Sequence, residues 1–202
     1  MTMIPQGGPI HRFILQTFAT TGQAPTLEAI QARFDLASLD EADTRLRDLE
    51  ERGCIHRKEG DRLVTHAYPF SNEPTPHRVS LADGPQVYAM CAIDALGMPF
   101  MLKRDAQIHS ECTQCQDEVT VHIQHEWLTQ HSPAGLVVWF PTVQSSCVAA
   151  TDLCPSVNFF CSATHLDQSR AAHPEKQGEQ LTLELALAGG RNTFEPLLHD
   201  VA

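Results

Sequence analysis

No apolar stretch in this 202-residue chain approaches the roughly 20 residues that a bilayer-spanning helix needs. Basic residues are scarce: 14 Lys and Arg stand against 25 Asp and Glu, a formal net charge of −11. A surface so acidic repels nucleic acid and anionic lipid, so neither is an expected partner. No signal peptide is legible. The apolar patch Phe13-Ile14-Leu15 within Met1 to Gly22 is spoiled by Arg12, Gln16 and early Pro and Gly interruptions. Seven cysteines form no obvious disulfide framework, and a cytoplasmic chain with reduced thiols is expected. In that setting cysteines bind metal, do chemistry or fill a core. Repeats, low-complexity tracts and an H-x-x-x-H pair on a convincing helix are also missing, so the eleven histidines are expected to be solvated or locally hydrogen-bonded. What remains is a chain 42% hydrophobic, enough for one sizeable core or a small domain attached to a larger one.

The pattern of apolar residues predicts an α+β chain. A helix is expected over Ile10 to Thr20, a second after the N-cap candidate Thr26, and a third over Leu39 to Arg52 with Gly53 as its C-cap. Cys54 to Arg57, the polar turn Lys58 to Asp61 and Arg62 to Thr65 read as a hairpin. Three helices and a hairpin spell a winged-helix-like domain over residues 1–70. Its would-be recognition helix holds Asp40, Glu41, Asp43, Asp48, Glu50 and Glu51 against Arg45, Arg47 and Arg52, the wrong balance for a phosphate backbone. Asn72, Pro74 and Pro76 mark residues 71–78 as a linker. Residues 79–202 are expected to form a mixed α/β domain, with a small sheet carrying a cysteine site. Its predicted elements are a helix over Val87 to Leu96 ending before Pro99, and strands near 119–123, 136–140 and 157–160. Leu181 to Ala188 is ambiguous between strand and helix, and a terminal helix is expected over Thr193 to His199.

Chemistry concentrates in two cysteine segments far apart in sequence. Tyr88-Ala89-Met90-Cys91-Ala92-Ile93-Asp94-Ala95-Leu96 puts a thiol and a carboxylate three residues apart, near a helix N-terminus whose dipole favours a thiolate. Alone, Cys91 is equally a small buried hydrophobe. Asp94, however, lies among Met90, Ile93, Ala95, Leu96 and Met98, where a carboxyl needs a partner or a task. Cys154-Pro155-Ser156-Val157-Asn158-Phe159-Phe160 supplies a second thiol beside an apolar run. Two thiols and one carboxylate, if they converge, suit capture of a soft metal and delivery of a proton to whatever leaves it. Cys112-Thr113-Gln114-Cys115 is a single C-x-x-C, a weak zinc signal for which Cys147, Cys154 and Cys161 are available as further thiolates. Cys161, after Phe159 and Phe160, reads as a core residue.

In their order and form these segments resemble the alkylmercury lyase family. Val87 to Pro99 is similar to the family's block Y-A-x-C-A-x-D-x-L, His109-Ser110-Glu111-Cys112 to a block carrying a structural cysteine, and Cys154 with Val157-Asn158-Phe159-Phe160 to C-x-x-V-x-F-F. The likeness is good from about Val87 to Ser162 and looser elsewhere. The chain departs from the pattern at Pro155, where the family often has a second cysteine, and in the additional Cys115, Cys147 and Cys161.

The resemblance implies Cys91 and Cys154 as catalytic thiols and Asp94 as the catalytic carboxylate. It also implies an N-terminal domain that does not read DNA. The implied reaction is protonolysis of a carbon–mercury bond, giving a hydrocarbon and Hg(II) held by Cys91, Cys154 and Asp94. No organic cofactor is required, and small cellular thiols or a mercuric reductase would accept the ion. The rival readings are a thiol-based metal-binding or metal-sensing protein without turnover, and a zinc-stabilised winged-helix regulator.

Overall fold

A computed structural model describes residues 7–58, 60, 62–142 and 152–199. Cys147, and Glu59 and Asp61 of the expected hairpin turn, lie outside the described residues.

The chain begins with three helices, α1 (Gly8–Thr21), α2 (Leu27–Phe34) and α3 (Leu39–Glu51). Local chemistry sets their starts. The Thr26 hydroxyl accepts from the Ala29 amide and the Ser38 hydroxyl from the Glu41 amide, each satisfying a backbone donor that the first helical turn leaves unpaired. Gly53, at φ 71°, makes the left-handed exit after α3. β1 (Ile55–Arg57) and β2 (Val64–Ala67) follow as an antiparallel pair. Arg57 is buried and fastens this pair to α3: its guanidinium bonds Asp43 at 2.7 Å and Glu50 at 3.0 Å. Asp43, itself buried, also pairs with Arg47. Two of the acidic residues on α3 are therefore consumed inside the domain.

β3 (Phe70–Ser71) joins β2 to β5 (Gln86–Ala89), and β4 (His77–Leu81), β6 (Ala106–Glu111), β7 (Glu118–Gln124) and β8 (Trp127–Ser132) complete an eight-stranded sheet. Its order is β1-β2-β3-β5-β4-β6-β7-β8, with every neighbouring pair antiparallel. The expected linker 71–78 instead takes in the end of β3 and the start of β4, so only residues 72–76 run between two strands of one sheet. Phe18 of α1 stacks on Phe70 of β3 with ring centroids 5.1 Å apart, so the helices share the core that the sheet encloses. A second sheet, ordered β10-β9-β11, is built from β9 (Val137–Pro141), β10 (Asn158–Phe160) and β11 (Gly178–Thr182).

Between the strands lie α4 (Ala92–Leu102), α5 (Ala163–Ala172) and α6 (Leu183–Phe194). The sequence reading starts the first of these at Val87. In the structure residues 86–89 are a strand, because β3 and β4 take up their backbone hydrogen bonds while Val87 and Ala89 turn inward. The same reading stops the helix before Pro99, yet α4 runs through it. A proline there deletes one hydrogen bond, and burial of every residue from Ala92 to Met101 holds the helix in place.

α4 packs closely on α6 through Gly97 and Gly190. A Cβ on Gly190 would stand 2.8 Å from the Ile93 carbonyl oxygen and 2.9 Å from the Gly97 nitrogen. The ambiguous segment at Leu181 divides at Thr182, which ends β11 and caps α6 by accepting from the Leu185 amide. The expected terminal helix is the end of α6 followed by a 3-10 turn, Glu195–Leu197.

The expected mixed α+β fold is present. The cysteine segments, however, leave different sheets: Cys91 follows β5 of the large one, and Cys154 precedes β10 of the small one.

Candidate active site

Cys91 is the N-cap of α4, with extended backbone, and its Sγ accepts from the Asp94 amide at 3.4 Å. A thiol here does the work usual for a serine or aspartate. Asp94 sits in the first turn, where the helix dipole favours negative charge. Cys154 opens a 3-10 turn, Cys154–Ser156, and the next residue, Val157, accepts the Ala92 amide at 3.1 Å. That one bond satisfies a free donor of α4 and ties the two distant segments together.

Cys154 Sγ then lies 3.7 Å from Asp94 Oδ2 and donates to it, across 60 positions of sequence. One ligand atom from each of Cys91, Asp94 and Cys154 lies within 4.8 Å of the others. All three are buried, at 3%, 4% and 5% exposure. Burial raises the Asp94 carboxyl to about 7, although hydrogen bonds from both thiols pull the other way. Burial also raises Cys91. Cys154 is driven far up, first by its interaction with the neighbouring Cys91 thiol, with burial and the Asp94 charge adding to the effect. The thiolate expected from the helix dipole is therefore not the resting form: desolvation outweighs the dipole, and the protons stay on sulfur until something displaces them. Cys91 and Cys154 belong to the main apolar core of the protein, together with Leu96, Met98 and Phe159.

A groove of about 160 Å³ runs past the Cys154 segment, lined by Thr113, Pro155, Ser156, Phe160 and Arg170 among others. The three site residues do not line it.

Two further features go beyond the sequence reading, which offers Cys112, Cys115 and Cys161 as zinc thiolates but assigns no role to His77 or His165. His77 on β4 bonds Ser110 Oγ at 2.9 Å and Asn158 Oδ1 at 3.2 Å, linking the large sheet to the segment that carries Cys154. Burial lowers its pKa to about 4, so the ring is neutral. A lone histidine in an alternating strand gives no signal of this. The second feature is a cluster of Cys112, Cys115, Cys161 and His165, again with one ligand atom apiece within 4.8 Å of the others. Cys161 is half-buried within this group and is not the core residue it resembles beside Phe159 and Phe160, because the chain turns at Ser162 into α5. At Cys112 burial raises the pKa. Amides from Cys161, Cys115 and Gln114 and the His165 ring outweigh this and lower it to about 6. The spacing Cys161-x-x-x-His165, read with Cys112-x-x-Cys115, was the available clue.

Two thiols around a buried carboxyl are ligand atoms of the kind a soft metal takes, with a titratable group beside them. Residues 70–195 match the family model "Alkylmercury lyase", and the chain belongs to that family. The alkylmercury lyase of Staphylococcus epidermidis is 28% identical over 192 residues, covering 95% of this chain and 78% of that protein. The Bacillus cereus enzyme is 30% identical over 118 residues, 58% of this chain, and the match spans about half of that relative, 53%. The crystal structure of the mercury-bound form of MerB2 superposes with a TM-score of 0.82 at 28% identity, covering 98% of this chain and 94% of that one. Residues 8–62 also match the model "LexA DNA binding domain", in keeping with three helices and a strand pair.

Proposed function

We propose that the chain cleaves the carbon–mercury bond of organomercurials by protonolysis, with Cys91 and Cys154 as metal-binding thiols and Asp94 as proton carrier. The observation that carries this reading is the 3.7 Å contact from the Cys154 thiol to the Asp94 carboxylate inside a two-thiol cluster. A storage site needs the sulfurs alone; a carboxyl near neutrality between them adds the means of moving a proton.

One thiol exchanges with the ligand on R–Hg, leaving R–Hg–S bound and a released small thiol. The second loses its proton to the Asp94 carboxylate as its sulfur adds to mercury, since coordination overcomes the raised thiol pKa. Electron density on the R carbon rises, and Asp94 delivers its proton there. The electron pair of the Hg–C bond becomes the new C–H bond. The hydrocarbon leaves, Hg(II) stays on two thiolates, and Asp94 is again a carboxylate. Hg(II) then passes to small cellular thiols or to a mercuric reductase, which completes detoxification. The apolar surroundings suit an alkyl or aryl group and exclude water.

We assign this chemistry to residues 79–202, which hold Cys91, Asp94 and Cys154, and a non-DNA-reading role to residues 1–70, in the cytoplasm. Among the described residues no helix is long and apolar enough to cross a membrane. The test is a single-sample assay of phenylmercury with excess thiol, reading benzene evolved and mercury retained. Evolution of benzene with retained Hg(II) is expected. Retention of phenylmercury without benzene would mark a binding protein in a lyase fold.

A further inference from the structure

We propose that Cys112, Cys115, Cys161 and His165 form a structural zinc site, separate from the mercury-handling trio.

The four ligand atoms lie within 4.8 Å of one another, and two of their separations match the edges of a tetrahedral zinc site. Zinc bound at about 2.3 Å to sulfur and about 2.0–2.1 Å to nitrogen sets S···S edges near 3.8 Å and S···N edges near 3.5 Å. Cys115 Sγ and Cys161 Sγ lie 3.8 Å apart, and Cys112 Sγ and His165 Nδ1 lie 3.5 Å apart. The backbone is arranged for thiolates. Cys112 and Cys115 flank the turn between β6 and β7, closed by the Gln116 amide on the Cys112 carbonyl at 2.8 Å, with Gln116 left-handed at φ 64°. The Cys161 amide donates to Cys112 Sγ at 3.3 Å. The Ser162 hydroxyl caps α5 by accepting the His165 amide at 3.2 Å, which fixes the first turn that presents the imidazole. Two ligands from a tight turn and two more, spaced i and i+4, from a helix start give a closed set of three sulfurs and one nitrogen. A closed set is the mark of a structural rather than a catalytic zinc. Cys112 is fully buried while Cys115 is exposed, so an ion can enter from solvent and be held from within.

The consequence lies in what the site joins. Cys112 and Cys115 belong to the large sheet, and Cys161 and His165 lie just beyond β10 of the small one. A metal here clamps the two sheets at the corner after Cys154, beside the bond from the Thr113 amide to the Phe159 carbonyl at 3.1 Å.

The experiment uses the full chain, purified reduced and without exposure to an immobilised metal, then reconstituted with zinc or cobalt(II) and freed of excess. Wild type should retain about one zinc per chain and, with cobalt, show the intense visible bands of a tetrahedral thiolate-rich ion. Cys115→Ser, Cys161→Ser and His165→Ala should each lose stoichiometric zinc, while the double variant Cys91→Ser/Cys154→Ser should keep it. Chelation of the wild type should lower its Tm. Cys115 is at the surface, so Cys115→Ser should keep its fold by circular dichroism. If it does not, the wild-type cobalt spectrum still decides. The proposal is overturned by failure of reduced wild type to retain zinc, by a weak octahedral cobalt spectrum, by full zinc in the three single variants, or by loss of zinc from the Cys91→Ser/Cys154→Ser protein.

Discussion

The Cys154 thiol donates to the Asp94 carboxylate at 3.7 Å, and the Asp94 amide donates to the Cys91 sulfur at 3.4 Å. The carboxyl is thus in register with both sulfurs, one through its side chain and one through its backbone. The Cys91 contact is local to the start of α4, whereas the Cys154 contact spans two segments that the bond from the Ala92 amide to the Val157 carbonyl ties together. Two thiols and a carboxyl are brought together partly by ordinary helix-capping geometry.

Asp94→Asn should separate binding from turnover. Both sulfurs remain, so phenylmercury and Hg(II) still bind. The amide carries no transferable proton, and benzene release should slow by roughly 10²–10⁴-fold, the usual worth of a general acid–base group. Turnover at the wild-type rate would remove Asp94 from the mechanism.

The same carboxyl should leave a signature in stability. Its folded pKa is raised from 3.8 to about 7, so the folded state holds the proton more tightly than the unfolded chain. Stability is therefore highest below the unfolded value and falls as pH rises from about 3.8 to about 7, by on the order of 4 kcal/mol at most. Asp94→Asn escapes this loss. Its Tm should exceed that of wild type at pH 8, and the gap should close toward pH 4. A gap independent of pH would show that the carboxyl does not titrate in this window.

Cys91→Ser and Cys154→Ser should each abolish hydrocarbon release from phenylmercury or methylmercury, because a hydroxyl is a poor ligand for a soft metal. Cys161→Ala should retain turnover and lose Tm, with the loss coming from the Cys112, Cys115 and His165 cluster and not from an emptied core. Substantial turnover in either of the first two variants would count against a two-thiol mechanism.

Gly190→Ala tests the helix contact that seats the site. The added methyl meets the Ile93 carbonyl at 2.8 Å, so α4 or α6 must shift. Overpacking of this kind costs about 1–3 kcal/mol, and a shift of α4 moves Cys91 and Asp94 together. A lower Tm and a reduced kcat are expected, whereas wild-type values in both would mean that the helices part freely.

The N-terminal helices should not bind duplex DNA at micromolar protein near physiological salt, despite the match to a DNA-binding model. Asp43 and Glu50 are engaged by Arg57, while Asp40, Asp48 and Glu51 remain exposed on α3. Nonspecific binding rests on phosphate neutralisation. Sub-micromolar, salt-sensitive binding in a fluorescence-anisotropy titration would revive a regulatory role.

Much of this protein is local and so legible in its sequence. Thr26 and Ser38 announce helix starts because a cap bonds an amide three residues away. The apolar spacing of α1 to α3 is equally short-range. The segments around Cys91 and Cys154 identify themselves by residue type and order, and an aspartate among Ile93, Leu96 and Met98 stands out by composition alone. The tertiary structure decided everything that depends on partners far along the chain. Residues 86–89 are a strand because β3 and β4 flank them, and α4 passes Pro99 because it is enclosed. His77, Cys161 and His165 gain their roles only where the two sheets meet. The direction in which each pKa of the trio moves was decided there too. The helix dipole at Cys91 is visible in the sequence, but the desolvation that overrides it arises only when α4, α6 and the Cys154 turn close around the site.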